Sequence, residues 1–155
     1  MRNKLAVVAI TLAVALLFST APAKAGKPTT TVVPVDILLS NQCTGEDVNL
    51  TGTLTFWSDT DIKNGIAHIR IHTILDLSGV GGTSGNNYSF HSVQNFASNV
   101  KADGTSGEFN TVLNETFISQ SGADNLRVHG SVHVTVNANG DVTVERTDVD
   151  IECVG

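Results

Sequence analysis

From Val48 to Phe56 the chain reads Val-Asn-Leu-Thr-Gly-Thr-Leu-Thr-Phe, with apolar residues at the even positions, Gly52 apart, and polar ones at the odd. A period of two with a single apolar face is the signature of a half-buried β-strand. The pattern recurs downstream. Ala67, Ile69, Ile71 and Leu75 share one face and His68, Arg70 and His72 the other. Tyr88, Phe90 and Phe96 mark a strand over 87–100, and another follows over 108–119. Val128, Val132, Val134 and Val136 then alternate with Arg127, His129, Ser131 and His133. In the last strand, 141–153, Val142 and Val144 have one parity and Val149 and Ile151 the other, which predicts a bulge near Arg146.

Turn signals separate these runs. Asp59 to Gly65 ends in Asn64-Gly65, a dipeptide suited to the left-handed geometry of a tight hairpin. A glycine-rich loop spans Gly79–Gly85, and Ala102-Asp103-Gly104, Ser121–Asn125 and Asn139-Gly140-Asp141 supply the remaining turns. Beyond the first twenty-five residues no segment sustains a 3.6-residue period. The expected fold is all-β, a single antiparallel up-and-down β-barrel-like domain of about six or seven strands. A two-sheet sandwich is the alternative.

The start of the chain has a different character. Met1-Arg2-Asn3-Lys4 is a short basic opening, Leu5 to Phe18 is apolar, and Ala23-Lys24-Ala25 resembles a small-residue cleavage site. This reads as a secretory signal peptide over residues 1–25. The apolar run falls short of the roughly 20 residues a spanning helix needs, so no membrane insertion is expected after cleavage. Residues 26–42, which open on Lys27, Pro28 and three consecutive threonines, Thr29 to Thr31, without apolar periodicity, read as an extended N-terminal lead-in, and 43–155 as the β-barrel-like domain. The expected location is secreted or periplasmic.

Cleavage after Ala25 would leave 130 residues, the size of one domain. It would also remove Arg2, Lys4 and Lys24, lowering the basic residues from nine to six against fifteen acidic ones, so that the net charge becomes −9 instead of −6. A surface of that sign repels phosphate backbones and anionic lipids, which excludes nucleic acid as an expected partner. Two cysteines, Cys43 and Cys153, flank the strand region, and in an exported chain a disulfide between them is expected.

Candidate chemistry is sparse. The five histidines are His68, His72, His91, His129 and His133. Residues four apart on one strand are about 13 Å apart, too far to share an ion, so no metal site is expected from His68 with His72 or from His129 with His133. Asp59–Gly65 begins like a calcium loop, but Lys63 stands at a ligand position and no glutamate closes it. Gly79–Gly85 lacks the Gly-Lys-Ser/Thr ending of a phosphate loop, and no Gly-x-Ser-x-Gly elbow marks a nucleophile. The sequence calls for no cofactor and assigns no catalytic residue. Trp57, Tyr88, Phe90 and Gly81 are the candidate ligand-binding residues, as aromatic platforms and as part of a loop of the kind that contacts ligands.

The stretch Asn41-Gln42-Cys43-Thr44-Gly45-Glu46-Asp47-Val48 resembles a group of small secreted bacterial proteins without an assigned activity, as do Ser78-Gly79-Val80-Gly81, His133–Val144 and the final Glu152-Cys153. The resemblance implies an exported, β-rich, bacterial protein with one disulfide and carries over no catalytic residue. Two functional expectations follow. The first is a small ligand or protein partner bound by the domain. The second is an extracytoplasmic lyase, isomerase or hydrolase, which requires two or more of His68, Arg70, His72, His91, His129 and His133 to point into one pocket. A structural or surface-adhesion role would instead show a filled interior and an apolar or aromatic outer patch.

Overall fold

The computed structural model describes residues 28–101 and 103–155. The leader-like residues 1–25 lie outside them. Seven strands follow one another: β1 (Thr29–Asn41), β2 (Glu46–Lys63), β3 (Ile66–Gly81), β4 (Asn87–Lys101), β5 (Gly107–Ser119), β6 (Asn125–Val136) and β7 (Val142–Val154). They form one antiparallel sheet in the order of the sequence. Each neighbour pair is a hairpin, the up-and-down arrangement that the turn signals predict. The segment expected as a lead-in is extended, and from Thr29 it is already the first strand, paired with β2 from Thr29↔Ser58 to Asn41↔Glu46.

The strands run further than the alternation alone suggests. Asp59 to Lys63 belong to β2, so the turn there is only Asn64-Gly65, with φ of 53° and 75°. Left-handed backbone at both central positions is the type I′ geometry that matches strand twist. The irregularity in β7 lies where Thr135 pairs with Val144 and Val136 with Val142, leaving Thr143 as the extra residue, three positions before the expected Arg146. It puts Val142, Val149 and Ile151 on one face.

Hydrogen-bonded register assigns every strand residue to one of two faces. One holds Val48, Leu50, Leu77, Tyr88, Phe90, Phe117 and Val128, which form the buried core. Tyr88 and Phe90 both meet Phe117 edge-on, at 5.3 and 5.7 Å between ring centres. Val35, Ile37, Leu39, Leu75 and Leu126 pack around this cluster. All of it lies toward one end of the sheet, the end that carries the disulfide between Cys43 and Cys153, whose Cα atoms are 5.5 Å apart. The bridge ties the β1–β2 turn to the end of β7, and the Asn41 side-chain amide donates to the Asp124 carbonyl at 3.3 Å, so the sheet curls there with its apolar face inward.

Two glycines permit that curl. A Cβ at Gly52 would fall on the Asp76 carbonyl oxygen, and one at Gly79 on that of Asn49. Glycine inside a strand marks such a close backbone approach. At the opposite end the sheet stays open, and Leu54, Ile71, Val132 and Val134 are on the apolar face but only half-buried.

The curl stops short of a closed barrel. The ladders run from β1 to β7 without a pairing of β7 back to β1. Both edges are poor ladder partners for physical reasons. Pro34 in β1 lacks an N–H, and β7 sets Asp148, Asp150 and Glu152 along one side. As a result every residue of β7 is exposed, Val149 and Ile151 included.

Candidate functional site

With the core on one face, the other face carries the polar residues, and the register places them in rows across the strands. Trp57 pairs with His72, His72 with Asn95 and Asn95 with Val112. Two residues along, Asp59 pairs with Arg70, Arg70 with Ala97 and Ala97 with Asn110. Alternate residues of a strand share a face, so these eight side chains form two adjacent rows on one surface. Ala97 is the smallest of them, and over it the surface dips into an open recess of about 520 Å³ rimmed by Pro28.

The walls are mutually braced. Arg70 Nη2 donates to Asp59 Oδ2 at 2.8 Å, with about two thirds of the arginine side chain in water. His72 Nδ1 donates to Asn95 Oδ1 at 2.7 Å, and its ring lies 5.1 Å from the Trp57 ring at an angle of 34°. Asn95 thus holds His72, and His72 supports Trp57. Asn110 Oδ1 accepts from His133 Nδ1 and the Asn110 amide nitrogen donates to Glu108 Oε1 at 3.3 Å.

That bracing is one case of a wider pattern. Each of the five histidines points Nδ1 at the residue directly opposite on the neighbouring strand. His68 donates to Asn99 at 2.7 Å, His129 to Asn114 at 2.6 Å and His91 to Asp76 at 2.5 Å, alongside His72 with Asn95 and His133 with Asn110. Carboxamide and carboxylate oxygens accept, so Nδ1 carries the proton, which leaves Nε2 as the acceptor of the neutral ring; in His133 that nitrogen meets Thr135 Oγ1 at 3.4 Å. Among the described residues no group of three His, Cys, Asp or Glu side chains is placed to hold a metal ion. Two histidines also stand near carboxylates: His91 with Asp76, in solvent outside the recess, and His133 with Glu108 at 3.7 Å, beside Asn110.

The other candidate residues are placed elsewhere. Tyr88 and Phe90 are core residues, 1% and 6% exposed, and the structure does not bring them to Trp57. Gly81 abuts the Glu46 carboxylate. Glu46 begins β2 and is almost wholly covered, and it accepts from the backbone of Thr83 and Ser84 at 3.0 and 2.6 Å, from Ser84 Oγ at 2.9 Å and from Tyr88 Oη at 2.8 Å. Those donors, the Ser84 backbone and the Tyr88 hydroxyl foremost, hold its pKa down at about 2. The glycine-rich loop is therefore clamped by an ionised side chain beneath it.

A second carboxyl group shares the core face with Glu46. Glu115 lies on the apolar face, where Ser92 Oγ donates to its Oε1 at 3.2 Å, and burial pushes its pKa up. Asp59, Asn95, Ala97, Asn110 and Val112 join the recess without having been marked by the strand pattern. Their parity is readable, but which of them meet depends on register across four strands. Among the described residues no helix is long and apolar enough to cross a membrane. No known protein family matches this chain, and no match to it was found among curated proteins or solved structures.

Proposed function

We propose that the chain is an exported binding module that holds its ligand on the polar face, in the recess over Ala97. The observation that carries this reading is the meeting of Trp57, His72, Arg70 and Asp59 around one small floor, while the interior at the disulfide end is filled by packed side chains. An aromatic platform with a few fixed polar groups around it is the general form of a ligand site. The disulfide and the leader-like first residues fit an oxidising compartment outside the cytoplasm.

Trp57 is the only tryptophan, so its emission reports directly on the recess. Titration with a fragment library and a peptide library is expected to give members that shift this emission, and to give no shift in Ala97→Arg, where the floor is filled. Responses that persist in Ala97→Arg, or no response from any member, would refute the reading.

Arg70 and His72 lining one recess also favours turnover of the bound ligand. His72→Asn separates the two: loss of product formation with binding retained marks an enzyme, whereas a site without product formation in either form is a binding site alone.

A further inference from the structure

The ligand class follows from the chemistry of the recess, and this step rests on the reading just proposed. We infer that the recess takes a neutral oligosaccharide, laid across β2 to β5 with one sugar ring against Trp57.

The shape is the first reason. The two rows cross four strands, three interstrand spacings of about 4.8 Å, so the floor is roughly 14 Å long and about 7 Å wide. It is open along its length and not a closed pocket. A single small molecule would leave most of it in water, whereas a chain of a few sugar rings covers it and can continue past either end.

The second reason is the side chains. Trp57, Ala97 and Val112 give an apolar floor, and the groups around it are of four planar kinds: guanidinium, carboxylate, imidazole and carboxamide. Sugar hydroxyls both donate and accept, and they are matched by a wall that offers both. Arg70 gives one of its five N–H donors to Asp59; Asn95 uses its oxygen for His72 and keeps its amide N–H groups to donate; and His72 presents Nε2 as an acceptor. Because these groups are already fixed by their neighbours, little side-chain freedom is lost on binding. The C–H face of a pyranose ring then stacks on the indole that His72 supports.

Charge and backbone exclude the rival polymers. Arg70 and Asp59 neutralise each other, and the chain carries fifteen acidic against nine basic residues, so a polyanionic chain is repelled. Extended peptides gain much of their affinity by main-chain pairing with a free strand edge. The recess lies over β2 to β5, each hydrogen-bonded on both sides, and has no unpaired edge to offer.

The test uses calorimetry and Trp57 emission with cellohexaose, chitohexaose, xylohexaose, mannohexaose and maltohexaose, with hexagalacturonate as the anionic control. At least one neutral hexasaccharide is expected to bind at millimolar concentration or below, more tightly than its disaccharide, while hexagalacturonate does not. Affinity should fall about tenfold or more in Trp57→Ala, the size of losing an aromatic anchor, and likewise in Ala97→Arg. Ala97 is exposed, so that second variant stays folded even where Trp57→Ala does not. Failure of every neutral hexasaccharide to bind the wild-type protein overturns the inference. If a peptide or fragment shifts Trp57 emission in that case, the sugar class falls and the binding recess stands. A hexasaccharide that binds Ala97→Arg as tightly as wild type puts the sugar elsewhere and overturns both.

Discussion

His72 donates to Asn95 from Nδ1 across the β3–β4 ladder, at 2.7 Å, and this bond turns the imidazole so that it supports Trp57. Replacing Asn95 by Leu keeps the side chain's size but removes the acceptor. Trp57 should then sample more orientations, read as a lower fluorescence anisotropy and easier iodide quenching. Thermal stability should stay within about 0.5 kcal/mol of wild type, as for an exposed position away from the core. An unchanged quenching constant would show that Asn95 does not hold the platform.

The Cys43–Cys153 bridge closes a span of 110 residues. Cys43→Ala is expected to lower unfolding stability by about 2–5 kcal/mol, mostly by freeing the unfolded chain. Denaturant unfolding of the variant measures it, and an unaltered midpoint would contradict the expectation.

Glu46 governs acid stability. Its pKa in the fold, about 2, is below its ordinary value of 4.5, so the ionised form is favoured by folding. The contribution is complete above about 4.5 and disappears as the pH falls through about 2. Glu46→Gln should be less stable than wild type at neutral pH, and the gap should narrow across that interval. Melting temperatures at pH steps check it; a constant gap would refute the assignment.

Glu115 works in the opposite direction. Burial raises its pKa above 4.5, so folding favours the protonated form and the wild-type protein loses stability as the pH rises past that value. Glu115→Gln should therefore be more stable than wild type at neutral pH. The gain should vanish in acid, below the ordinary carboxyl pKa, when both side chains are neutral. A variant less stable than wild type at neutral pH would count against this account.

Leu50 and Leu54 share a strand and a face but not an environment. Leu50 is 0% exposed in the curled end and Leu54 is half-buried in the open one. Leu50→Ala should cost about 2–5 kcal/mol and Leu54→Ala clearly less, because part of Leu54 is already in water. Equal losses would mean that the open end is closed in solution.

The contrast between those leucines shows what the sequence makes legible. Alternation assigned the faces correctly, because parity is a local property: His68, Arg70 and His72 oppose Ile69 and Ile71 whatever the neighbouring strands do. The same parity already separates Phe90 from His91, which is why Phe90 belongs to the core and not to a site with Trp57. How deeply a face is buried is not local. Val149 and Ile151 have core parity yet lie open, since no strand covers the edge beyond β7. The recess was hidden for the same reason. Asp59, Asn95, Ala97 and Asn110 come from three strands, and only the summed register of three hairpins makes them neighbours.

The placement of the bridge also decides how the protein bears a mechanical load. Tension applied between Pro28 and Gly155 passes along β1 to Cys43, across the sulfur–sulfur bond to Cys153, and out through the last residues. The strands from β2 to β6 and nearly all of β7 lie in the bypassed loop and carry none of it. Only β1 can be sheared from its neighbour. In an oxidising medium the strands from β2 to β6 stay unstretched while the ends are pulled, and force acts on the core only by drawing Val35, Ile37 and Leu39 of β1 away from it.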